Sequence, residues 1–386
     1  MTSRSSVLGA FPTKPLGDIV EFLDSMRRPV TESERRTGQY PYYGANGQQG
    51  TIDDFIFDEP LVLLAEDGGH FDDPSRGIAY RISGKTWVNN HAHVLRPKWE
   101  MDLGFLCRVL ENYDVGPWVT GTTRGKLTQA GAAQIVVPVP PLPEQHRITA
   151  ILDKADALRA KRRAALTQLD TLKQSIFLNM FGDPATNPRG WPEVRLGDHA
   201  LKIGSGATPL GGEAAYKTEG IALIRSMNVR DGRFLRDGLA FLDDQQAARL
   251  DGVVVEADDV LLNITGASVA RVCRAPRAVL PARVNQHVAI VRPTPAFDPC
   301  FLEHCLLYPS MKRRLLRIAG AGATREAITK EAIERLLLIQ PPQDLQIRYA
   351  GQATVSENIE LGQQNQLKAA DELFLSLQRR AFQGEL

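Results

Sequence analysis

The feature that most constrains this chain is that it repeats itself. Leu16-Gly17-Asp18 recurs as Leu196-Gly197-Asp198, 180 residues on. Val88-Asn89-Asn90-His91, closing on Arg96-Pro97, recurs 196 residues on as Val284-Asn285-Gln286-His287, closing on Arg292-Pro293. Gly121-Thr122-Thr123-Arg124, followed by Thr128, recurs 201 residues on as Gly322-Ala323-Thr324-Arg325, followed by Thr329. Pro140-Pro141 with Gln145 and Arg147 recurs as Pro341-Pro342 with Gln346 and Arg348 at the same 201, and Leu172 and Phe181 meet Leu373 and Phe382. Matches that keep one order while their offset grows by small insertions and then locks mark a duplication. The fold must therefore be built from two like halves.

Each copy reads as two parts. The first copy runs over residues 1–142 and is followed by a helix at 143–182. The second runs over 183–341 and is followed by a helix at 342–386. The globular parts are rich in Gly, Pro, Val and Ile. Segments such as Phe55 to Leu64, Val253 to Leu262 and Val288 to Val291 read as short strands bounded by turn residues. From Glu144 to Phe181 there is no Gly or Pro, which predicts a long helix. Pro138, Pro140, Pro141 and Pro143 punctuate its start and Gly182-Asp183-Pro184 stop it.

That helix carries a near-heptad seam of Ile151, Ala155, Leu158, Arg162, Ala165, Leu169, Leu172 and Ile176. The second helix has a weaker one, Ile359, Leu367, Ala370, Leu373 and Leu377, interrupted by Gly351, Gly362 and a Gln-rich run at 363–366. Each helix packs either on its own globular part or on the other helix. The second alternative is favoured, because both helices have the same length and both need a partner. The expected core of that pair is Leu158, Leu169, Leu172 and Ile176 against Ile359, Leu367, Leu373 and Leu377. A helix of this length spans roughly 57 Å at about 1.5 Å per residue. Antiparallel packing would hold two similar domains more than one turn of DNA (about 34 Å) apart. The expected fold class is α+β, with two duplicated domains separated by two long antiparallel helices about a pseudo-twofold.

Composition closes off other classes. The chain has 386 residues, 43% of them apolar and 24% charged, the mix of an ordinary globular protein of two or three domains. Cys107, Cys273, Cys300 and Cys305 form no C-x-x-C pair and are too few for a disulfide framework, so a reducing cytoplasm is the expected compartment. Residues 1–14 lack the apolar core of a signal peptide, and no apolar run is long enough for a membrane span. With 46 Lys plus Arg against 45 Asp plus Glu there is no global basic footprint. Local basic clusters remain at Arg27-Arg28, Arg35-Arg36 and Lys312-Arg313-Arg314 with Arg317.

Catalytic signatures are missing. Asn187-Pro188-Arg189-Gly190 lacks the second proline and the aromatic that an amino-methyltransferase turn needs. Gly84-Lys85-Thr86 fails as a phosphate loop because Ala79 stands where the first glycine is required. Gly204-Ser205-Gly206 is no nucleophile elbow. His91 and His93 make a H-x-H pair, but Ala289 replaces His93 in the second copy, which argues against a shared metal site. Cys300, His304 and Cys305 have poor spacing for a tetrahedral metal and read as a buried cluster. No metal is expected, and a non-enzymatic binding protein is the better class.

Several of these stretches carry a resemblance. They are Tyr40-Pro41-Tyr42-Tyr43-Gly44-Ala45-Asn46-Gly47, the Leu-Gly-Asp starts, Gly-Ser-Gly-Ala-Thr-Pro at 204–209, the Thr-Arg-x-x-Leu/Ile-Thr motif, and Pro-Pro-Leu-Pro-Glu-Gln at 140–145 running into a long helix. Together, in this order and duplicated, they resemble the specificity subunit of type I restriction-modification enzymes over essentially the whole chain. The second helix departs, since Gln343-Asp344 lacks the proline and glutamate of the first copy. The resemblance implies two target-recognition domains, each reading one half of a split, asymmetric site in double-stranded DNA. It implies two long helices that set the spacer and dock two methyltransferase subunits, which bind S-adenosylmethionine and methylate adenine, with a motor-nuclease subunit joining for cleavage. The chain itself would bind no cofactor and catalyse nothing.

On that reading, candidate DNA contacts are Tyr43, Asn46 and Gln48 (with Gln49) in a Gly-rich loop, and their counterparts Arg225, Ser226 and Asn228 after a short apolar strand. The alternative is an ordinary turn in which Asn tolerates positive φ. Arg124 and Lys126, and Arg325 and Lys330, follow Gly/Thr runs as candidate phosphate clamps, or else as solvated charges near a helix cap. Asn89 with His91 and Asn285 with His287 recur in both copies and so read as structural, because two domains that read different bases should differ where they read. Specificity should lie in 43–50, 67–81, 210–236 and 263–278. Lys161-Arg162-Arg163 faces either the DNA spacer or a methyltransferase subunit. An enzyme with an unrecognised site and a scaffold that bridges two proteins without reading DNA are the rival classes.

Overall fold

The computed structural model describes residues 11–73, 76–121, 125–209, 211–320 and 326–386. The architecture is mixed, with short strands and short helices in each copy and two long helices, Leu142–Phe181 and Gln343–Gln383. The chain divides into two compact units, Met1–Ala164 with Gln364–Leu386, and Ala165–Gln363. Each unit therefore takes in one globular copy and part of both long helices.

The two copies build the same pair of sheets. In the first unit, Val20–Phe22, Ala92–Pro97, Leu61–Ala65 and Ala79–Ile82 lie side by side, all antiparallel. The second unit repeats this as Ala200–Ser205, Val288–Pro293, Val260–Asn263 and Val272–Arg274. The second sheet of each unit contains one parallel pairing, Tyr40–Gly44 with Lys85–Val88 in one and Ile221–Ile224 with Ala282–Val284 in the other. Leu61–Ala65 and Val260–Asn263 are buried at every position, which is why they read as unbroken apolar runs rather than as alternating strands.

The single strands expected at Phe55 to Leu64 and Val253 to Leu262 are each two strands in different sheets. Phe57–Asp58 and Leu61–Ala65 part at Pro60, which has no N–H for a ladder. Val254–Val255 and Val260–Asn263 part at Asp258, whose φ is 68°. Arg96 ties the first break with ion pairs to Glu59 (2.6 Å) and Glu21 (2.7 Å). Arg292, its duplicate, ties the second through Asp259 (2.7 Å). The recurring Arg-Pro is thus a clamp on the chain reversal.

The first long helix stops at Gly182, whose φ of 78° suits glycine and whose N–H donates to Leu178 O at 2.9 Å. Each unit takes the start of one long helix and the end of the other. In the first, Ile148 and Leu152 join Phe374, Ala381 and Phe382 in one core. In the second, Tyr349 and Ala353 join Phe177 and Phe181. The recurrence of Phe181 as Phe382 reflects this equivalent plugging of a helix end into a domain core.

The pairing of the helices differs from the expected leucine seam. Leu158 (44% exposed), Leu172 (48%), Ile359 (49%) and Leu373 (53%) lie largely in solvent. Leu169, Ile176, Leu367 and Leu377 are half-buried. In the first unit the inward position beside Leu158 belongs to Arg159, which binds Asp371 at 2.6 Å, while Arg162 donates to Gln366 and Arg163 reaches Asp371 at 3.0 Å. In the second unit Lys173, not Leu172, faces inward, bound to Glu360 at 2.6 Å. A strict 3.5-residue pattern drifts on a straight helix of 3.6 residues per turn, so a seam extended by heptads moves off the buried face after a few turns. Within each unit the helix segments run antiparallel: Arg147 reaches Leu386 O and Arg159 reaches Asp371 in the first, and Lys173 meets Glu360 while Phe177 meets Tyr349 in the second. Arg162 and Arg163 are thereby committed to the second helix. Among the described residues, no helix is long and apolar enough to cross a membrane.

Candidate nucleic-acid interface

The duplicated Val-Asn-x-His element ends the Lys85–Val88 and Ala282–Val284 strands. Asn89 N–H donates to Tyr43 O at 3.0 Å, and Asn285 N–H donates to Ile224 O at 3.0 Å, continuing the parallel pairing in each unit. The Asn side-chain oxygen then accepts the backbone N–H of His91 (2.8 Å) or His287 (3.0 Å). Both asparagines are buried, and this Asx turn is their structural duty. The histidines are different, because each lines a groove of about 370 Å³.

In the first unit the groove is lined by Thr31, Arg35, Tyr42, Gln49, Asn90 and His91, among others. In the second it is lined by Ser226, Arg230, Thr265, Ser268, Arg271 and His287. Both are rimmed by arginine and by amide or hydroxyl groups, the side chains that grip phosphates and read base edges. The first takes Tyr42 and Gln49 from the two paired strands that the turn Gly44-Ala45-Asn46-Gly47 joins. A Cβ on Gly44 would stand 2.4 Å from Gln49 Nε2 and 2.8 Å from Asn89 Nδ2, and Gly47 has φ 107°. Gly44 thus leaves room for Gln49 to close over Asn89, whose Nδ2 donates to Gln49 Oε1 at 3.1 Å, and Gly47 supplies the left-handed turn. Arg35 lies over the Tyr42 ring at 3.8 Å.

The expected contact residues fall into different surroundings. Tyr43 is half-buried and packs on Tyr80. Asn46 Nδ2 donates to Gly68 O at 2.9 Å, and exposed Gln48 donates to Gly50 O at 3.1 Å. Ser226 lines the second groove. Arg225 is turned away to Glu213 and Gly238 O. Asn228 is fully buried, its Oδ1 accepting from Arg225 N–H at 2.9 Å and its Nδ2 donating to Leu235 O at 3.0 Å. It holds the turn and cannot reach a base. Lys126 is half exposed and pairs with Glu66 at 3.1 Å, and exposed Lys330 opens a short helix beside Glu334 at 3.6 Å. Arg124 and Arg325 lie outside the described residues. Arg35, Arg230, Thr265, Ser268 and Arg271 were not singled out by motif, although all but Arg35 fall inside the stretches where the copies diverge.

Among the described residues, two clusters bring metal-binding atoms within 4.8 Å, Cys300 with His304 and Glu357, and Asp24 with Glu66 and His93. The donors are already committed. His304 Nδ1 meets the Tyr349 hydroxyl at 2.7 Å, and Arg274 holds Glu357 at 2.7 Å. Arg27 holds Glu66 at 2.6 Å, and His93 meets Asp24 at 2.6 Å. Glu357, rather than Cys305, completes the first group. Burial pushes His304 down to about 4 and raises the Cys300 and Cys305 thiols, so these are neutral core groups.

Residues 10–168 match the family model of the type I restriction modification DNA specificity domain. That stretch, under half of the chain, is similar to the DNA specificity domain of type I restriction-modification systems. A putative type I restriction enzyme specificity subunit of Haemophilus influenzae is 38% identical over 148 residues, which is 38% of this chain and 38% of that one. The matched region thus spans well under half of that relative. The fold extends further than the sequence match. The S subunit of a type I restriction-modification system from M. genitalium aligns over 99% of both chains, with TM-score 0.65 at 12% identity. A chain from a structure of type I restriction-modification complex assembly aligns over 99% of this chain and 100% of its own, with TM-score 0.52 at 17% identity. The family-model match covers the first copy, and the same sheet order recurs in the second.

Proposed function

We propose that this chain is the DNA-reading subunit of a type I restriction-modification complex, with each unit reading one half of a split, asymmetric site in double-stranded DNA. The observation that carries this reading is the pair of grooves. Both are placed by the same Asn-x-His turn at the end of the same strand, and both are rimmed by arginine and hydrogen-bonding side chains, yet the rims differ in residue type. A duplicated scaffold with divergent rims is what two half-sites of unlike sequence require. The two long helices dock two adenine-methyltransferase subunits and, through them, motor-nuclease subunits. S-adenosylmethionine is bound by those partners, the chain itself catalyses nothing, and the complex works in the cytoplasm.

The test is adenine-methylation mapping by long-read sequencing in a host that supplies the cognate methyltransferase subunit, with and without this chain. A split motif methylated once on each strand only when the chain is present establishes the reading. An unchanged methylation pattern removes it and favours a scaffold that ignores sequence. Duplex binding supplies a second readout. A DNA reader loses affinity steeply with salt and prefers its site by about a thousandfold or more.

A further inference from the structure

The two grooves share a histidine but not the residue beneath it. His91 Nδ1 meets Asp67 Oδ1 at 2.5 Å, whereas His287 Nδ1 meets Thr265 Oγ1 at 2.6 Å. Asp67 and Thr265 are equivalent positions. Both follow the buried central strand, and the carbonyls of His91 and His287 accept backbone N–H groups at this same reversal, from Glu66 (2.9 Å) and Ile264 (3.0 Å). The whole of His91 is thus pinned, its N–H by Asn89, its carbonyl by Glu66 and its Nδ1 by Asp67. One polar atom remains, Nε2, and no described residue meets it. In the second unit, Gln286 Nε2 already donates to His287 Nε2 at 3.2 Å.

Chemistry then assigns the free atom. A carboxylate only accepts hydrogen bonds, so the hydrogen of a neutral His91 sits on Nδ1 and Nε2 carries a lone pair. An acceptor is of no use against a phosphate. On a base edge it pairs with an exocyclic amino group, N6 of adenine or N4 of cytosine in the major groove, and it rejects the keto oxygen of guanine or thymine in the same place. We propose that His91 reads a base amino group in the half-site of the first unit, and that Asp67 is the positioning residue that sets this preference by fixing the imidazole tautomer. The second unit has Thr265 in place of Asp67 and a covered Nε2, so its histidine does not read this way. The proposal rests on the DNA-reading function above and specifies one of its contacts.

The experiment uses the full chain in complex with its methyltransferase subunit and the motif found by methylation mapping. If wild type shows no motif, the DNA-reading function fails and this contact fails with it. If wild type shows a motif, the contact is tested separately. His91→Phe is expected to relax one position of one half-site, where wild type demands adenine or cytosine on one strand, by about tenfold or more. Wild type is expected to lose a similar factor on duplexes lacking that amino group, with purine in place of adenine or 2-pyrimidinone in place of cytosine, and His91→Phe is expected to be indifferent to it. That substrate series on wild type needs no variant to fold. Asp67→Asn can donate to Nδ1 and move the hydrogen to Nε2. It should bring the ratio of amino-bearing to keto-bearing base at that position near one, while the other half-site stays as in wild type. Amino-group deletions that cost wild type and His91→Phe equally, or an Asp67→Asn variant with unchanged preference, overturn the proposal.

Discussion

Gln145 and Gln346 make the same three hydrogen bonds, 201 residues apart. Each side-chain oxygen accepts the N–H of a helix N-cap aspartate, Asp102 at 2.7 Å and Asp298 at 2.9 Å. Each amide nitrogen donates to the proline carbonyl five residues back, Pro140 and Pro341, both at 2.8 Å, and to a loop carbonyl, Glu100 at 2.9 Å and Ala296 at 3.2 Å. Both glutamines are fully buried. They weld the start of each long helix to the domain before it, which explains why the glutamine recurs where the surrounding proline and glutamate do not.

Removing either amide leaves buried backbone groups unpaired. Gln346→Ala is expected to cost about 2–4 kcal/mol, since each stranded group costs about 1–3 kcal/mol and some regain water. Denaturant unfolding measures this. Arg348→Ala, beside it and exposed, should cost under about 0.5 kcal/mol, and equal losses for the two would refute the role given to Gln346.

Within each unit the two helix segments are held by ion pairs and by aromatic rings, Arg159–Asp371 and Phe382 in the first, Lys173–Glu360 and Phe177–Tyr349 in the second. Leu158→Gln and Leu172→Gln should each change the stability of the isolated chain by less than about 0.5 kcal/mol, because these side chains are already wet. Phe181→Ala empties a cluster of Phe177, Phe301 and Tyr349 and should cost about 3–5 kcal/mol. The reverse order, measured by thermal or denaturant unfolding, would restore the leucine seam.

His304 predicts a pH dependence. Its folded value near 4 lies below the ordinary 6.5 because burial disfavours the charged ring. The unfolded chain therefore binds a proton that the folded chain refuses between these values. The stability contributed is fully present above pH 6.5 and is lost as pH falls towards 4, amounting to about 3 kcal/mol at roughly 1.4 kcal/mol per unit. His304→Gln should flatten this slope. An unfolding midpoint equally pH-dependent in both proteins would place the titration elsewhere.

The grooves predict a division among polar residues. Arg35→Ala and Arg271→Ala should weaken DNA binding and lower the slope of log affinity against log salt by about one unit each if each holds a phosphate. Asn228→Ala should instead lower stability, because it strands the carbonyl of Leu235 and the N–H of Arg225. Binding and unfolding on the same preparations separate the two effects.

The sequence by itself determined the duplication, the mixed class, the strand-rich copies and the two long helices, because each depends on local pattern. Proline and glycine end the helices, and apolar runs mark the central strands. Tertiary structure alone decided which helix face is buried, since Arg159 rather than Leu158 turns inward and the rotation of about 100° between these neighbours is set by the partner segment. It also decided which polar residues are spent. Asn228 and Arg225 looked like contacts in one dimension and are consumed by their own turn, while Thr265 and Arg271, 39 and 45 residues beyond Ser226 and forming no motif, line a groove with it. The His91 ring was readable as a repeat but not as a donor or acceptor. That distinction belongs to Asp67, 24 residues away, and a hydrogen-bond partner brought close only by strand pairing leaves no mark on the sequence around it.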